Sequence, residues 1–331
     1  MFDKIFVPNP SAEQPTPIRP RKGVLIGVGQ VGMACAYSLL IQNCFDELIL
    51  QDINQEKVTG EVMDLMHGMP FVSPTELKGG TVADEGKDAD IVIITAGAAQ
   101  KPGESRLELV SRNVNIFRSI LADVVKYCPD AILLIVSNPV DIMTYVTLKI
   151  TGFPSSRVIG SGTVLDTARL RSLIGKKLNI DSRSVHAYIM GEHGDSEFPV
   201  WSMASIGCAK IIPDTWENLS QNDKDELNSI FSQVKNAAYE IINLKGYTSY
   251  AIGLAVTDIV KAIVRSQERI LTVSTLINGL YDIHDICLSI PAVVNERGIL
   301  KTVNLSLNER EKNQLINSAQ VLQQVFEQLK L

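Results

Sequence analysis

Short runs of consecutive apolar residues alternate along the chain with longer stretches in which apolar positions recur every three or four residues. The runs at 23–28, 47–52, 90–96 and 131–137 are strand-sized, and helix-length amphipathic stretches separate them. Buried strands joined by helical crossovers predict a parallel sheet covered on both faces, so the first half reads as a doubly wound α/β domain. Past residue 164 the order changes. Helices are predicted over 164–178, 223–244, 249–264 and 308–331, with strands near 185–190, 270–276, 287–294 and 303–307, which is a mixed α+β pattern. The expected organisation is an extended arm over 1–21, one domain over 22–163 and a second over 164–331. The arm holds five prolines (Pro8, Pro10, Pro15, Pro17, Pro20), which exclude helix. Composition fits either a disordered tail or an arm that docks on a neighbouring subunit through Ile5, Phe6 and Val7.

Composition narrows the class. With 331 residues, 45% apolar and 21% charged, the chain is an ordinary globular protein rather than a fibrous or disordered one. Thirty-one Lys plus Arg against 37 Asp plus Glu give a net charge of −6, so no nucleic-acid partner and no membrane partner is expected, and an anionic ligand needs local positive charge. The five cysteines are scattered with no CxxC pair. That pattern predicts neither a disulfide framework nor a metal site, and points to the cytoplasm.

The sequence GVGQVG at 27–32 follows a predicted strand and opens an apolar helix over 33–41. Gly27, Gly29 and Gly32 would allow the tight turn, the close approach of backbone to a pyrophosphate and close helix packing, with the helix N-terminus facing the negative charge. The next apolar run ends in Asp52, 20 positions beyond Gly32, where a carboxylate can accept from both ribose hydroxyls of an adenosine. The same charge would repel a 2′-phosphate, which favours NAD over NADP. The first domain is therefore expected to be a Rossmann-type NAD-binding domain.

A second constellation carries chemistry. His193 lies in GEHGDS at the end of a predicted strand, between glycines that expose it. Asp166 and Arg169 open the helix at 164 with three-residue spacing, so they share a helix face. A carboxylate can fix the tautomer of a catalytic histidine, and a planar guanidinium can clamp a substrate carboxylate through two hydrogen bonds. The segment AGAAQKPGESRL at 96–107 follows the strand near 91–94 at the carboxyl edge of the sheet. It would close over a substrate and bring Arg106 with it.

In order along the chain, GVGQVG, MDLMHG, AGAAQKPGESRL, NVNIF, VSNPVDI, RVIGSGTVLDTAR, GEHGDS and KGYTSYAIG resemble the L-lactate dehydrogenases of the lactate/malate dehydrogenase family over roughly residues 22–331. The resemblance implies reversible hydride transfer between NADH and pyruvate, giving L-lactate. It implies His193 as acid/base catalyst paired with Asp166, Arg169 on the substrate carboxylate, and Arg106 polarising the reacting carbonyl. It further implies Asn138 at substrate and nicotinamide, Thr248 in the substrate pocket, and Val31, Lys57, Gly97, Ala98, Ser119 and Ser161 around NAD. A homotetramer is also implied.

Within the resembled family the residue six before the loop arginine faces the variable group of the substrate. Here it is Gln100, which is neutral and cannot balance a second buried carboxylate, so pyruvate is expected over oxaloacetate. Arg171 lies about 200° around the helix from Arg169 and must face something else. Arg171 and His186 match a pair that binds fructose 1,6-bisphosphate between subunits in some bacterial relatives. Unregulated relatives carry the pair too, so structural contacts at an interface are the equal alternative. His67, His284, Trp201, Trp216 and Tyr239 read as packing or surface residues. Two competing functions are a malate-type enzyme, against which Gln100 argues, and a catalytically silent NAD-binding protein, which would have no need of His193, Asp166, Arg169 and Arg106 together.

Overall fold

In a computed structural model of the chain the described residues are 19–98 and 106–328, with Arg106 described in its backbone alone. The arm through residue 18, the loop at 99–105 and residues 329–331 lie outside them. Six strands form the parallel part of the sheet: β1 (Lys22–Ile26), β2 (Glu47–Gln51), β3 (Glu76–Gly79), β4 (Ile91–Ile94), β5 (Ile132–Ile135) and β6 (Val158–Gly160). Their spatial order is 3-2-1-4-5-6, the doubly wound arrangement whose switch point lies between β1 and β4. Connecting helices are α1 (Gln30–Ile41), α2 (Gln55–His67), α3 (Arg106–Tyr127) and α4 (Val140–Thr151).

The two-residue side-chain period of a strand explains the all-apolar runs. Val24, Ile26, Val92, Ile94, Leu133 and Ile135 face one layer with Phe117 and Leu121 of α3. Their neighbours Leu25, Ile91, Ile93, Ile132 and Leu134 face the other layer with Cys35 and Leu39 of α1. A strand buried on both sides has no place for polar alternation.

The second half begins with α5 (Val164–Leu178), continues through the two-residue strands β7 (Val185–His186), β8 (Ile189–Met190), β9 (Phe198–Pro199), β10 (Ser205–Ile206) and β11 (Ala209–Lys210), and then α6 (Gln221–Lys245) and α7 (Tyr250–Val264). Three long or medium strands, β12 (Arg269–Leu280), β13 (Ile283–Asn295) and β14 (Gly298–Thr302), precede α8 (Glu309–Gln328). Strands β12 to β14 extend the first sheet to nine, because β12 runs antiparallel to β6 with Ser274 opposite Gly160. A Cβ on Gly160 would come within 2.4 Å of Thr144 Oγ1 and 2.7 Å of Ser274 Cβ, so the join depends on its absence. Helix α7 crosses back onto α1, where Thr257 donates to Ser38 in a buried 2.8 Å contact.

Three expectations fail locally. The strand expected at 303–307 is instead β14 at Gly298–Thr302, since a tight turn at 295–298 returns the chain to pair with β13. Val303 adds one more bond to that pairing, its N–H donating to Pro291 O at 2.9 Å, but Leu305 and Leu307 leave the sheet: they pack on the core, and the Leu307 N–H donates to the Tyr281 hydroxyl. The expected strand at 185–190 splits into β7 and β8, which belong to different small sheets. Strands β3 and β6 were not expected, being a partly polar edge strand and a three-residue strand respectively. Among the described residues no helix is long and apolar enough to cross a membrane.

Candidate active site

Helix α5 carries Asp166 in its first turn and Arg169 one turn on. The chain reaches His193 through the turn between β8 and β9, where the imidazole Nδ1 stands 2.7 Å from Asp166 Oδ2. The other carboxylate oxygen of Asp166 accepts from Arg169 at 2.8 Å. Asp166 is 3% exposed and His193 28%, so the pair is closed on the carboxylate side and open on the ring side. A carboxylate can only accept here, which places a proton on Nδ1 and leaves Nε2 for a ligand.

Burial alone would pull the His193 imidazole down, but the charge and hydrogen bond of Asp166 outweigh it and raise it to about 9. For Asp166 burial works upward and is in turn overcome by His193 and Arg169, which hold the carboxyl below its usual range. Two further acids stand close by. The His193 N–H donates to Asp141 Oδ2 at 2.7 Å, from the first turn of α4, while Oδ1 is buried with no hydrogen-bond partner among the described residues. Burial pushes Asp141 up to about 6. Glu197 brings a carboxyl oxygen within 4.8 Å of a His193 ring nitrogen and an Asp166 oxygen.

Helix α8 braces the same turn. Ser318, fully buried, accepts from the Glu192 N–H at 2.6 Å and meets Ser196 Oγ at 3.0 Å, and Ser196 donates to Glu192 Oε2 at 2.6 Å. Asp141, Glu197 and Ser318 were all missed in the sequence. Their available signals were a polar residue on an otherwise buried helix face, for Asp141 and Ser318, and an acid directly before the apolar run 198–201, for Glu197.

At the switch point the glycine loop sits between β1 and α1. Gly27 has φ +106°, and a Cβ there would lie 2.6 Å from the Ala96 backbone. A Cβ on Gly32 would be 1.8 Å from the Gly27 carbonyl oxygen, whereas Gly29 faces open space. Among the described residues no side chain caps α1, and no acid occupies its first turn, so its free N–H groups remain available to a phosphate. Asp52 follows β2 and is oriented from both sides, accepting from the Val28 N–H at 2.9 Å and the Asn54 N–H at 3.0 Å. Open space over Gly29, a bare helix N-terminus and a fixed carboxylate across the loop fit a dinucleotide.

The carboxyl edge of the sheet gathers more of the expected residues. Asn113 of α3, fully buried, accepts from the Ala98 N–H at 2.8 Å and donates to the Asn138 carbonyl at 3.1 Å. It thereby ties Gly97 and Ala98 to the turn after β5, and was itself overlooked. Ser161 follows β6 at the same edge, its N–H donating to Ile135 O at 2.8 Å. Val31 lies in the first turn of α1. Lys57 is exposed in the first turn of α2, close in sequence to Asp52. Thr248 is half-buried between α6 and α7. Ser119 is exposed on α3, about 9 Å along the helix from Asn113. Arg106 is the first residue of α3. Gln100 falls outside the described residues.

Arg171 is turned away from this cluster. Its Nε donates to Ala187 O at 2.9 Å and its guanidinium lies over the Tyr188 ring at 4.7 Å. His186 is exposed on β7.

The profile of the lactate/malate dehydrogenase NAD binding domain matches residues 21–160. That of the alpha/beta C-terminal domain of the same group matches residues 163–330. The chain belongs to the lactate/malate dehydrogenase family. Among members of the family, an L-lactate dehydrogenase of Gloeobacter violaceus is 53% identical over 330 residues, which is 99% of each chain. One from a Synechococcus species is 55% identical over 311 residues, 93% of this chain and 99% of its own. The crystal structure of the minor L-lactate dehydrogenase from Enterococcus mundtii in a ligands-bound form superposes with a TM-score of 0.89 at 43% identity, covering 94% of this chain and 99% of that one. As a lactate/malate dehydrogenase family member, the protein is an NAD-dependent oxidoreductase.

Proposed function

We infer that the chain is an NAD-dependent L-lactate dehydrogenase that interconverts pyruvate and L-lactate. The observation that carries this is the His193–Asp166–Arg169 cluster, with Nδ1 of the ring 2.7 Å from one carboxylate oxygen and the guanidinium 2.8 Å from the other. Bound NADH supplies the hydride that reduces the 2-keto carbon. Protonated His193 gives its Nε2 proton to the developing alkoxide, and Asp166 stabilises the imidazolium and fixes its tautomer. Arg169 binds the substrate carboxylate. Arg106 enters with the loop, stabilises the charge on the reacting oxygen and helps exclude water, which strengthens every charge interaction inside. In the reverse direction neutral His193 takes the hydroxyl proton of lactate.

Around NAD we assign Gly27, Gly29, Val31, Gly32, Asp52, Lys57, Gly97, Ala98, Ser119, Asn138 and Ser161. Asn138 and Thr248 also line the substrate pocket. Gln100 supports pyruvate over oxaloacetate, because a neutral amide cannot balance a second buried carboxylate. The deciding assay follows NADH oxidation with pyruvate and with oxaloacetate, in the native chain and in Gln100→Arg. Pyruvate should be preferred, and the variant should gain on oxaloacetate; a native preference for oxaloacetate would refute the substrate.

The working organisation is an NAD-binding part over 22–163, a substrate part over 164–331 and a preceding arm, assembled as a homotetramer. Exposed apolar side chains on α1 (Tyr37, Ile41) and α7 (Tyr250, Leu254) support association between copies. Fructose 1,6-bisphosphate at Arg171 and His186 stands beside an equal reading as structural contacts: His186 is exposed next to Ala187, but the Arg171 Nε already donates to Ala187 O and its guanidinium lies over Tyr188. Five free cysteines support a cytoplasmic location.

A further inference from the structure

We propose that Glu197 is a positioning residue that governs the charge of the His193–Asp166 pair, a neutral acid while the site works and a carboxylate that retains the proton on His193 when base is added. The proposal rests on the dehydrogenase reading above and deepens it. Glu197 is 6% exposed, and among the described residues its carboxyl forms no hydrogen bond or ion pair. Yet one of its oxygens, a ring nitrogen of His193 and an oxygen of Asp166 all lie within 4.8 Å of one another.

Two buried carboxyls so close cannot both ionise at low cost. Donors decide which one keeps the charge. Asp166 accepts from His193 and from Arg169, whereas Glu197 has no donor, so Glu197 keeps the proton. Burial pushes Glu197 up to about 9, and the Asp166 charge adds to it against the opposing charges of His193, Arg169 and Lys235. The charged groups acting on it are Asp166 and Arg169 from α5, His193 from its own turn, and Lys235 from α6. Lys235 is held off by donating to the Asp195 carbonyl at 2.7 Å. Asp141 stands behind His193 on α4.

The sign follows from the charges. Near neutral pH the three groups are an imidazolium, a carboxylate and an acid, with no net charge. Added base that removes the Glu197 proton leaves the imidazolium between two carboxylates, which tightens its hold on its own proton. His193 therefore stays protonated to higher pH than it would beside a neutral residue.

The test uses the full chain labelled with 13C at the histidine ring, whose four histidines include one signal that disappears in His193→Asn. Glu197→Gln keeps the shape and hydrogen-bonding capacity without the charge, and Glu197→Ser provides a second variant of smaller volume. In either folded variant the His193 midpoint should fall by one to two pH units, the size expected of a unit charge about 5 Å away in an effective dielectric of about 20 to 40. The alkaline limb of kcat/KM for pyruvate, each protein normalised to its own plateau, should move down with it. A His193 midpoint equal to that of the native chain, or a loss of activity that is uniform across pH, overturns the proposal. His193→Asn separates the two layers of inference: an active His193→Asn removes the catalytic reading, while an inactive one with an unmoved midpoint in the Glu197 variants removes only the role of Glu197.

Discussion

In the proposed reaction the two nitrogens of His193 face different media. Nδ1 is tied to a buried carboxylate and Nε2 is left for the substrate, so charging the ring is favoured without closing its reactive side. Raised to about 9, His193 is protonated at neutral pH, which suits pyruvate reduction. Reduction should therefore hold below about pH 9 and decline above it, while lactate oxidation, which needs the neutral ring, should rise through the same range. Because the folded value lies above the ordinary one of 6.5, the pair also stabilises the fold fully below that pH, and this contribution is lost as pH rises through about 9. In Asp166→Asn burial is no longer opposed by the carboxylate, so the alkaline limb of reduction should move to lower pH by two or more pH units. A pH profile of initial rates in both directions checks each statement, and a limb unmoved in Asp166→Asn would remove Asp166 from the role. His193→Asn should lose turnover by orders of magnitude while NADH fluorescence on binding persists; near-normal turnover would refute the acid/base assignment. The sequence made His193, Asp166 and Arg169 legible because helical spacing and flanking glycines are local properties. Asp141 and Ser318 were not legible, since each meets His193 or its turn from another helix, and Glu197, though in the same turn, was not legible because only the folded turn brings its carboxyl back to the ring.

Among the elements, the strand-to-helix turn at 27–32 separates two uses of glycine. At Gly32 a methyl group would enter the Gly27 carbonyl, which is backbone and cannot give way cheaply. At Gly29 a methyl group would meet nothing among the described residues, so a ligand is what would object. Gly32→Ala should lower stability by about 1–3 kcal/mol, the usual cost of overpacking, and weaken NADH binding with it. Gly29→Ala should leave the melting temperature unchanged and weaken NADH binding alone. Thermal melts with and without NADH discriminate the two, and a lowered melt for Gly29→Ala would show that the open space is not the cofactor's. Strands β1, β2, β4 and β5 were readable within a residue or two because both of their faces are apolar. Residues 303–307 misled for the complementary reason: apolar alternation reports burial of one face, and past the single bond of Val303 to β13 a loop lying on the core meets that condition without a ladder.

For the whole molecule, the nine-stranded sheet and the contact of α7 with α1 join the two halves of the chain. Residues 166, 169 and 193 from the second half thus share a body with the glycine loop at β1. That shared body leaves an apolar face on α1 and α7, with Tyr250 at 73% and Leu254 at 58% exposure. If copies associate through it, Leu254→Glu should reduce the sedimentation coefficient of the protein at micromolar concentration, and an unchanged value would move the interface elsewhere. The sequence by itself carried the alternation of buried strands and helices, the glycine turn with the carboxylate Asp52 beyond it, and the candidate acid/base and guanidinium groups, because each is written in the spacing of near neighbours. Only the tertiary structure decided that the sheet continues into the second half, that Asn113 ties the loop to the turn after β5, and that three acids, Asp141, Asp166 and Glu197, surround one histidine. Those facts depend on residues far apart in the chain, from Asp141 to Ser318, whose meeting is set by packing and not by any local pattern.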